Sequence, residues 1–180
     1  MNLPTWITVS RLAGVPFLLI LLENPTPRSR LIALVIFLVV ALTDWLDGYL
    51  ARKLDQVTDL GKFLDPLVDK LLVTAPLLSL IHLQQIPAWG VFLILARELT
   101  IAGWRVTGEK KIQGANLWGK AKTVTQIGAI ALLIYPVNPS GEFLALVLFW
   151  LAVALTLISG LIYLLPQPAS SNELESRGES

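Results

Sequence analysis

Asp44, Asp47, Asp65 and Asp69 stand in otherwise apolar sequence, in the order Asp44-Trp-Leu-Asp47-Gly48-Tyr-Leu-Ala51-Arg52, eight residues, Gly61-Lys-Phe-Leu-Asp65-Pro-Leu-Val-Asp69. An ionised side chain near membrane depth costs several kcal/mol unless it is paired, so acids placed there mark an ion site or a substrate path. On a helix, residues three and four apart share a face. Asp44, Asp47, Gly48 and Ala51 therefore form one stripe, and Gly61, Asp65 and Asp69 form a second. Hard oxygen donors of this kind suit Mg²⁺ or Mn²⁺, with water and a phosphate completing each coordination shell. Four carboxylates match two such ions better than one, and a pair about 4 Å apart would neutralise a diphosphate during displacement. The chain has one His and no Cys, which argues against a dedicated zinc site. Gly48, Ala51 and Gly61 are small enough to let a ligand or another backbone come close.

Helices must carry these stripes. The 180 residues are 54% hydrophobic and only 15% charged, so the polar surface of a soluble domain is missing and apolar stretches near membrane-spanning length recur. The expected fold class is all-α: a polytopic membrane protein of six transmembrane helices with a cytoplasm-facing polar cavity. Helix 1 starts at the interface, which Trp6 and Arg11 suit, and sinks over Leu12 to Leu22. Helix 2 follows the proline-punctuated turn after Glu23 and covers Leu31 to Leu50. Helix 3 begins near Gly61 and ends near His82, which places Asp65 and Asp69 inside it. Helix 4 spans about Pro87 to Trp104, helix 5 Leu117 to Tyr135 and helix 6 Phe143 to Leu165. One domain, residues 1–165, accounts for the chain, and the Ser, Glu and Gly rich stretch 166–180 reads as a disordered cytoplasmic tail. Asp55 and Asp59 belong to a wet loop. The N-terminus lacks the basic region and cleavage site of a removable signal and is expected to be retained.

Basic residues set the orientation. With the aspartate-bearing ends in the cytoplasm, all Lys and Arg except Arg28 and Arg30 fall on or near that side, as the positive-inside rule requires. The expectation is a multi-pass protein of the cell inner membrane with both termini cytoplasmic, its partners being the lipid bilayer and small molecules rather than nucleic acid. Trp6, Trp89, Trp104 and Trp118 read as interfacial anchors. Gly14, Gly128 and Gly160 read as helix-packing residues. His82 is a bystander at the opposite interface. Arg97, Arg105, Lys120 and Lys122 sit at the cytoplasmic ends of helices 4 and 5, where such residues also serve topology and anionic lipid. A phosphomonoester needs such a cluster, since Arg binds phosphate oxygens bidentately and Lys adds a point charge. Glu98 reads as a partner of a nearby Arg.

The full pattern Asp-x-x-Asp-Gly-x-x-Ala-Arg, eight residues, Gly-x-x-x-Asp-x-x-x-Asp resembles the signature of the CDP-alcohol phosphotransferase family, with Asp44, Asp47, Gly48, Ala51, Arg52, Gly61, Asp65 and Asp69 at its fixed positions. The resemblance implies a six-helix membrane enzyme, usually a homodimer, that moves a substituted phosphate from a CDP-linked donor to an alcohol and releases CMP. It implies that Asp44, Asp47, Asp65 and Asp69 hold the ions, that Asp69 is also the base, and that Asp44, Gly48, Ala51, Arg52 and Gly61 contact the CDP group. Asn2 to Arg11, Arg97 to Arg105 and Gly119 to Gln126 resemble the bacterial enzymes that use CDP-diacylglycerol and glycerol 3-phosphate, although Thr5 and Trp6 depart from their usual N-terminal pattern. Glycerol 3-phosphate would then be the acceptor, bound by Arg97, Arg105, Lys120 and Lys122.

Other readings use the same acids. Cardiolipin formation from phosphatidylglycerol and phosphatidylinositol-phosphate synthesis change only the acceptor. A metal-dependent prenyltransferase would bind an isoprenyl diphosphate, and the Gly48, Ala51, Arg52 pattern and short length disfavour it. A cation transporter would need no nucleotide.

Overall fold

The computed structural model describes residues 3–54, 59–106, 117–136 and 139–164, with side chains over 10–43, 67–104, 119–136 and 141–162. Among these residues there are six helices and no strand: α1 (Leu3–Glu23), α2 (Pro27–Leu54), α3 (Asp59–His82), α4 (Ala88–Val106), α5 (Leu117–Ile134) and α6 (Pro139–Leu164). The all-α expectation and the order of helices hold. Asp44 and Asp47 lie in the C-terminal half of α2, and Asp65 and Asp69 in the N-terminal half of α3. Asp55 and the stretch 166–180 lie outside the described residues.

Boundaries moved where caps rather than apolar runs decide them. α2 starts at Pro27, four residues before Leu31. Thr26 and Ser29 exchange hydrogen bonds, Ser29 N to Thr26 Oγ1 at 3.1 Å and Thr26 N to Ser29 Oγ at 2.8 Å, and Pro27 takes the first helical position, where a missing N–H costs nothing. Asp59, expected in a loop, is the first residue of α3. That is a favourable place for a carboxylate, because the N-terminal N–H groups carry partial positive charge. α3 ends in a Schellman turn: Gln85 N bonds Leu80 O and Gln84 N bonds Ile81 O, with Gln84 in the left-handed region at φ 57°. This turn sends α4 back antiparallel to α3, toward the end that carries Asp69.

α1 packs on both α2 and α3, α5 packs along α6, and α4 lies against α6; α2 and α3 both touch α5, which joins the two halves. Leu18, Leu22, Phe37, Leu77, Leu80, Ile94, Ile130, Ile134 and Phe149 are fully buried and form one continuous core. Two glycines set helix distances. A Cβ on Gly90 would lie 2.8 Å from the Phe149 ring, and one on Gly14 would touch Val40 at 3.4 Å. Gly128, expected as a packing residue, has nothing within 4 Å of its Cβ position among the described residues. Opposite the aspartate-bearing ends, Arg30 donates to the Leu133 carbonyl at 3.2 Å, near the C-terminus of α5 where carbonyls lack helical partners.

Large apolar side chains also cover the outside. Ile20, Val35, Leu78, Phe92, Val124 and Phe143, one from each helix in turn, are all more than half exposed. Within α6, Gly141–Ile162 has the length and mean hydropathy, 2.5, to cross a membrane. An open groove of about 360 Å³ between the ends of α1 and α3 is lined by Leu19, Ile20, Leu22, Glu23, Leu78, Ser79 and His82. It lies at the end away from Asp69.

Candidate active site

The acidic half of the site is carried by α2 and α3. Asp44, Asp47, Gly48, Ala51 and Arg52 occupy the last turns of α2, and Gly61, Asp65 and Asp69 the first turns of α3. The side chains of all these residues except Asp69 lie outside the described ones. Asp69 is half exposed, and its Oδ1 lies 3.9 Å from Nη1 of Arg11, whose side chain is 3% exposed. Arg11 belongs to α1, and the strong packing of α1 along α3 brings it to this place. Read in sequence as part of an interfacial start, it instead brings a buried guanidinium beside one of the acids. A lone Arg entering an apolar helix was the signal. At 3.9 Å the attraction is electrostatic rather than a close hydrogen bond.

The basic half forms where α4, α5 and α6 meet. Arg97 of α4 donates from Nη1 to Glu98 Oε1 at 3.0 Å, and Lys122 of α5 donates to the same oxygen. Arg97 also donates from Nη2 to Ser159 Oγ of α6 at 3.0 Å, and Ser159 Oγ in turn donates to the Thr156 carbonyl at 3.0 Å. All three charged side chains are mostly buried, at 15% exposed for Arg97, 24% for Glu98 and 11% for Lys122. Gly160 is what admits Arg97: a Cβ there would lie 2.9 Å from Arg97 Cγ, so this glycine accommodates a long side chain rather than a neighbouring helix backbone. Arg97 Nε, Gln126 Nε2 and Thr156 Oγ1 are buried without a hydrogen-bond partner among the described residues. Gln126 is one turn from Lys122, and Thr156 one turn from Ser159.

Of the four basic residues expected to converge, Arg97 and Lys122 do so, through Glu98, although Arg97 lies at the middle of α4 rather than at its expected cytoplasmic end. Lys120 is exposed in the first turn of α5, and Arg105 lies in α4 with its side chain outside the described ones. Glu98 is the expected Arg partner, and it bridges to Lys122 as well. Ser159, Gln126 and Thr156 gave no local signal, because their meaning comes from a helix dozens of residues away.

A sequence model for the family described as CDP-alcohol phosphatidyltransferase matches residues 1–158. The chain belongs to this family. Similar proteins within it are each named CDP-diacylglycerol–glycerol-3-phosphate 3-phosphatidyltransferase. The Bacillus subtilis protein is 40% identical over 180 residues, covering 90% of this chain and 93% of its own length. That of Haemophilus influenzae is 37% identical over 172 residues, covering 91% of each chain. The Escherichia coli protein is 37% identical over 171 residues, covering 91% of this chain and 93% of its own. The match to the phosphatidyltransferase family takes in the four aspartates, Arg97, Glu98 and Lys122, and ends just before Ser159 and Gly160.

Proposed function

We propose that the protein transfers the phosphatidyl group of CDP-diacylglycerol to glycerol 3-phosphate, giving phosphatidylglycerophosphate and CMP in phospholipid synthesis. Family membership supports the reaction class, and the named relatives support this donor and acceptor. The observation that carries the acceptor is the convergence of Arg97 and Lys122, from different helices, on one carboxylate oxygen. Buried cations gathered in this way suit the phosphate of a phosphomonoester; an uncharged alcohol would not need them.

In this reading Asp44, Asp47, Asp65 and Asp69 hold two divalent ions, Mg²⁺ or Mn²⁺. The all-oxygen donor set and the half-exposed Asp69 fit such ions. When bound, they would supply neutralisation of the diphosphate charge. Asp44, Gly48, Ala51, Arg52 and Gly61 contact the CDP group, the small residues leaving space for it. Arg97 and Lys122, with Arg105 and Lys120, hold the acceptor phosphate and so aim the C1 hydroxyl at the donor. Asp69 accepts the hydroxyl proton while the oxygen attacks the phosphorus that carries diacylglycerol; the bond from that phosphorus to the CMP oxygen breaks, and CMP leaves. Arg11 steadies Asp69 from α1.

The apolar side chains turned outward on all six helices support a multi-pass arrangement in the inner membrane, with the cavity and both termini cytoplasmic. Residues 1–165 form the working domain, which acts as a homodimer. The test is purified protein with CDP-diacylglycerol, a divalent ion and a panel of acceptors, following CMP. Release only when glycerol 3-phosphate is present is expected. Release with phosphatidylglycerol or inositol phosphate, and none with glycerol 3-phosphate, would overturn the acceptor; ion transport without nucleotide would overturn the reaction.

A further inference from the structure

We propose that Glu98 is a positioning residue of the acceptor site, clamping Arg97 and Lys122 into a single preformed phosphate-binding pair. The inference rests on the acceptor reading above and goes beyond it, because it assigns the work of a carboxylate in a site built for an anion.

Two cations brought together from α4 and α5, which both pack on α6, repel one another, and each long side chain loses rotamer freedom when it is fixed. Glu98 answers both problems with one atom, since Oε1 accepts from Arg97 and from Lys122. Among the described residues, the clamp leaves most of the donors unspent. Arg offers five N–H donors and Lys three, whereas Glu98 and Ser159 engage one nitrogen each of the Arg97 fork and Glu98 engages Lys122 once. From the far side, Ser159 holds Nη2 and the bare backbone of Gly160 seats the Arg97 stem. Arg97 Nε, buried and without a hydrogen-bond partner among the described residues, belongs to the same unspent set. Prior ordering of this kind raises affinity by lowering the cost of binding.

The experiment measures KM for glycerol 3-phosphate and for CDP-diacylglycerol separately, by CMP release from the full-length purified enzyme. Glu98→Gln should raise the glycerol 3-phosphate KM about tenfold or more and leave the donor KM within about twofold, as expected for loss of charge-assisted hydrogen bonds at one subsite. Glu98→Asp should recover part of the loss. Ser159→Ala, a mild change that serves if Glu98→Gln does not fold, should raise the same KM about threefold, with donor KM again unchanged. An unchanged glycerol 3-phosphate KM in these variants overturns the proposal. So does a lowered one in Glu98→Gln, which would mean that Glu98 competes with phosphate for the same donors. Lys122→Ala separates this failure from that of the acceptor reading: if it raises the glycerol 3-phosphate KM while Glu98→Gln does not, only the clamp is wrong. If Lys122→Ala leaves that KM unchanged, the acceptor site itself is misplaced.

Discussion

Two clusters of charge at the candidate site are held in different ways. Between α1 and α3, Arg11 approaches Asp69 to 3.9 Å and leaves the carboxylate half exposed. Among α4, α5 and α6, Arg97, Lys122 and Glu98 are mostly buried and bonded at hydrogen-bond distance to one another and to Ser159. In the proposed reaction Asp69 takes a ligand and a proton in each cycle, which an exposed carboxylate permits. Cations that only hold a phosphate work better when already in place. On the proposed mechanism the difference is one of access: Asp69, the one acid of the motif whose side chain is described, stays half exposed, whereas Arg97 and Lys122 are fixed where α4 and α5 pack on α6.

The strongest way to break this contrast is to remove the acids. Asp44→Asn and Asp65→Asn should each cut CMP release about a thousandfold or more, since several kcal/mol of charge stabilisation at tenfold per ~1.4 kcal/mol has that size. Raising the divalent ion concentration should recover part of it. Rates within tenfold of the parent would remove these residues from the ion site. Asp69→Asn should slow turnover by roughly 10²- to 10⁴-fold, the range for a lost general base, while CDP-diacylglycerol still binds. Full activity would take the role of base away from Asp69, and lost donor binding would make it an ion ligand only.

This contrast also governs how much was legible in the chain. The aspartates could be placed on helices because their spacing of three and four residues is local and the helical period turns it into a face. The far end of α3 was marked by the polar run before Pro87. The start of α2 was misjudged because the apolar run begins at Leu31, whereas the Thr26, Pro27 and Ser29 cap acts a turn earlier. Arg97 and Lys122 were recognisable as a basic group by type and topology. Their bridge was half legible, since Glu98 is next to Arg97 in sequence but 24 residues from Lys122. Ser159, 62 residues from Arg97, and Gly160, which reads as an ordinary packing glycine, acquire their roles only when α4 and α6 lie side by side. Arg11 was seen as a charge at an interface, and the packing of α1 on α3 is what makes it a neighbour of Asp69.

A smaller effect sharpens the basic side. Arg97→Lys keeps the charge and loses the fork that reaches Glu98 and Ser159 through separate nitrogens, so the exchange is not conservative here. One charge-assisted hydrogen bond contributes about 1.5–3 kcal/mol, which predicts a rise of roughly 10- to 100-fold in the glycerol 3-phosphate KM. The donor KM should stay put. Equal loss for both substrates would show that Arg97 supports the whole bundle rather than the acceptor.

The smallest catalytic effect is expected from Gly90, which lies on the same α4–α6 seam as Arg97 but about two turns nearer the N-terminus of α4. A methyl group there would meet the buried Phe149 ring at 2.8 Å, with Trp150 3.3 Å away. Phe149 is held edge-on against Trp150, at 5.3 Å between ring centroids, so the ring has little freedom to tilt away. Overpacking of this kind costs about 1–3 kcal/mol, against a gain of roughly 1 kcal/mol for Ala over Gly inside a helix. Gly90→Ala should therefore lose about 1 kcal/mol of stability, read as a lower melting temperature of the purified protein, and leave both KM values unchanged. If the glycerol 3-phosphate KM rose with it, strain would be passing along the seam to Arg97, and the basic half would be less firmly set than its hydrogen bonds imply. An unchanged KM beside a lowered melting point would confine the rigidity to the polar end of the seam, where Ser159 and Gly160 grip Arg97 directly.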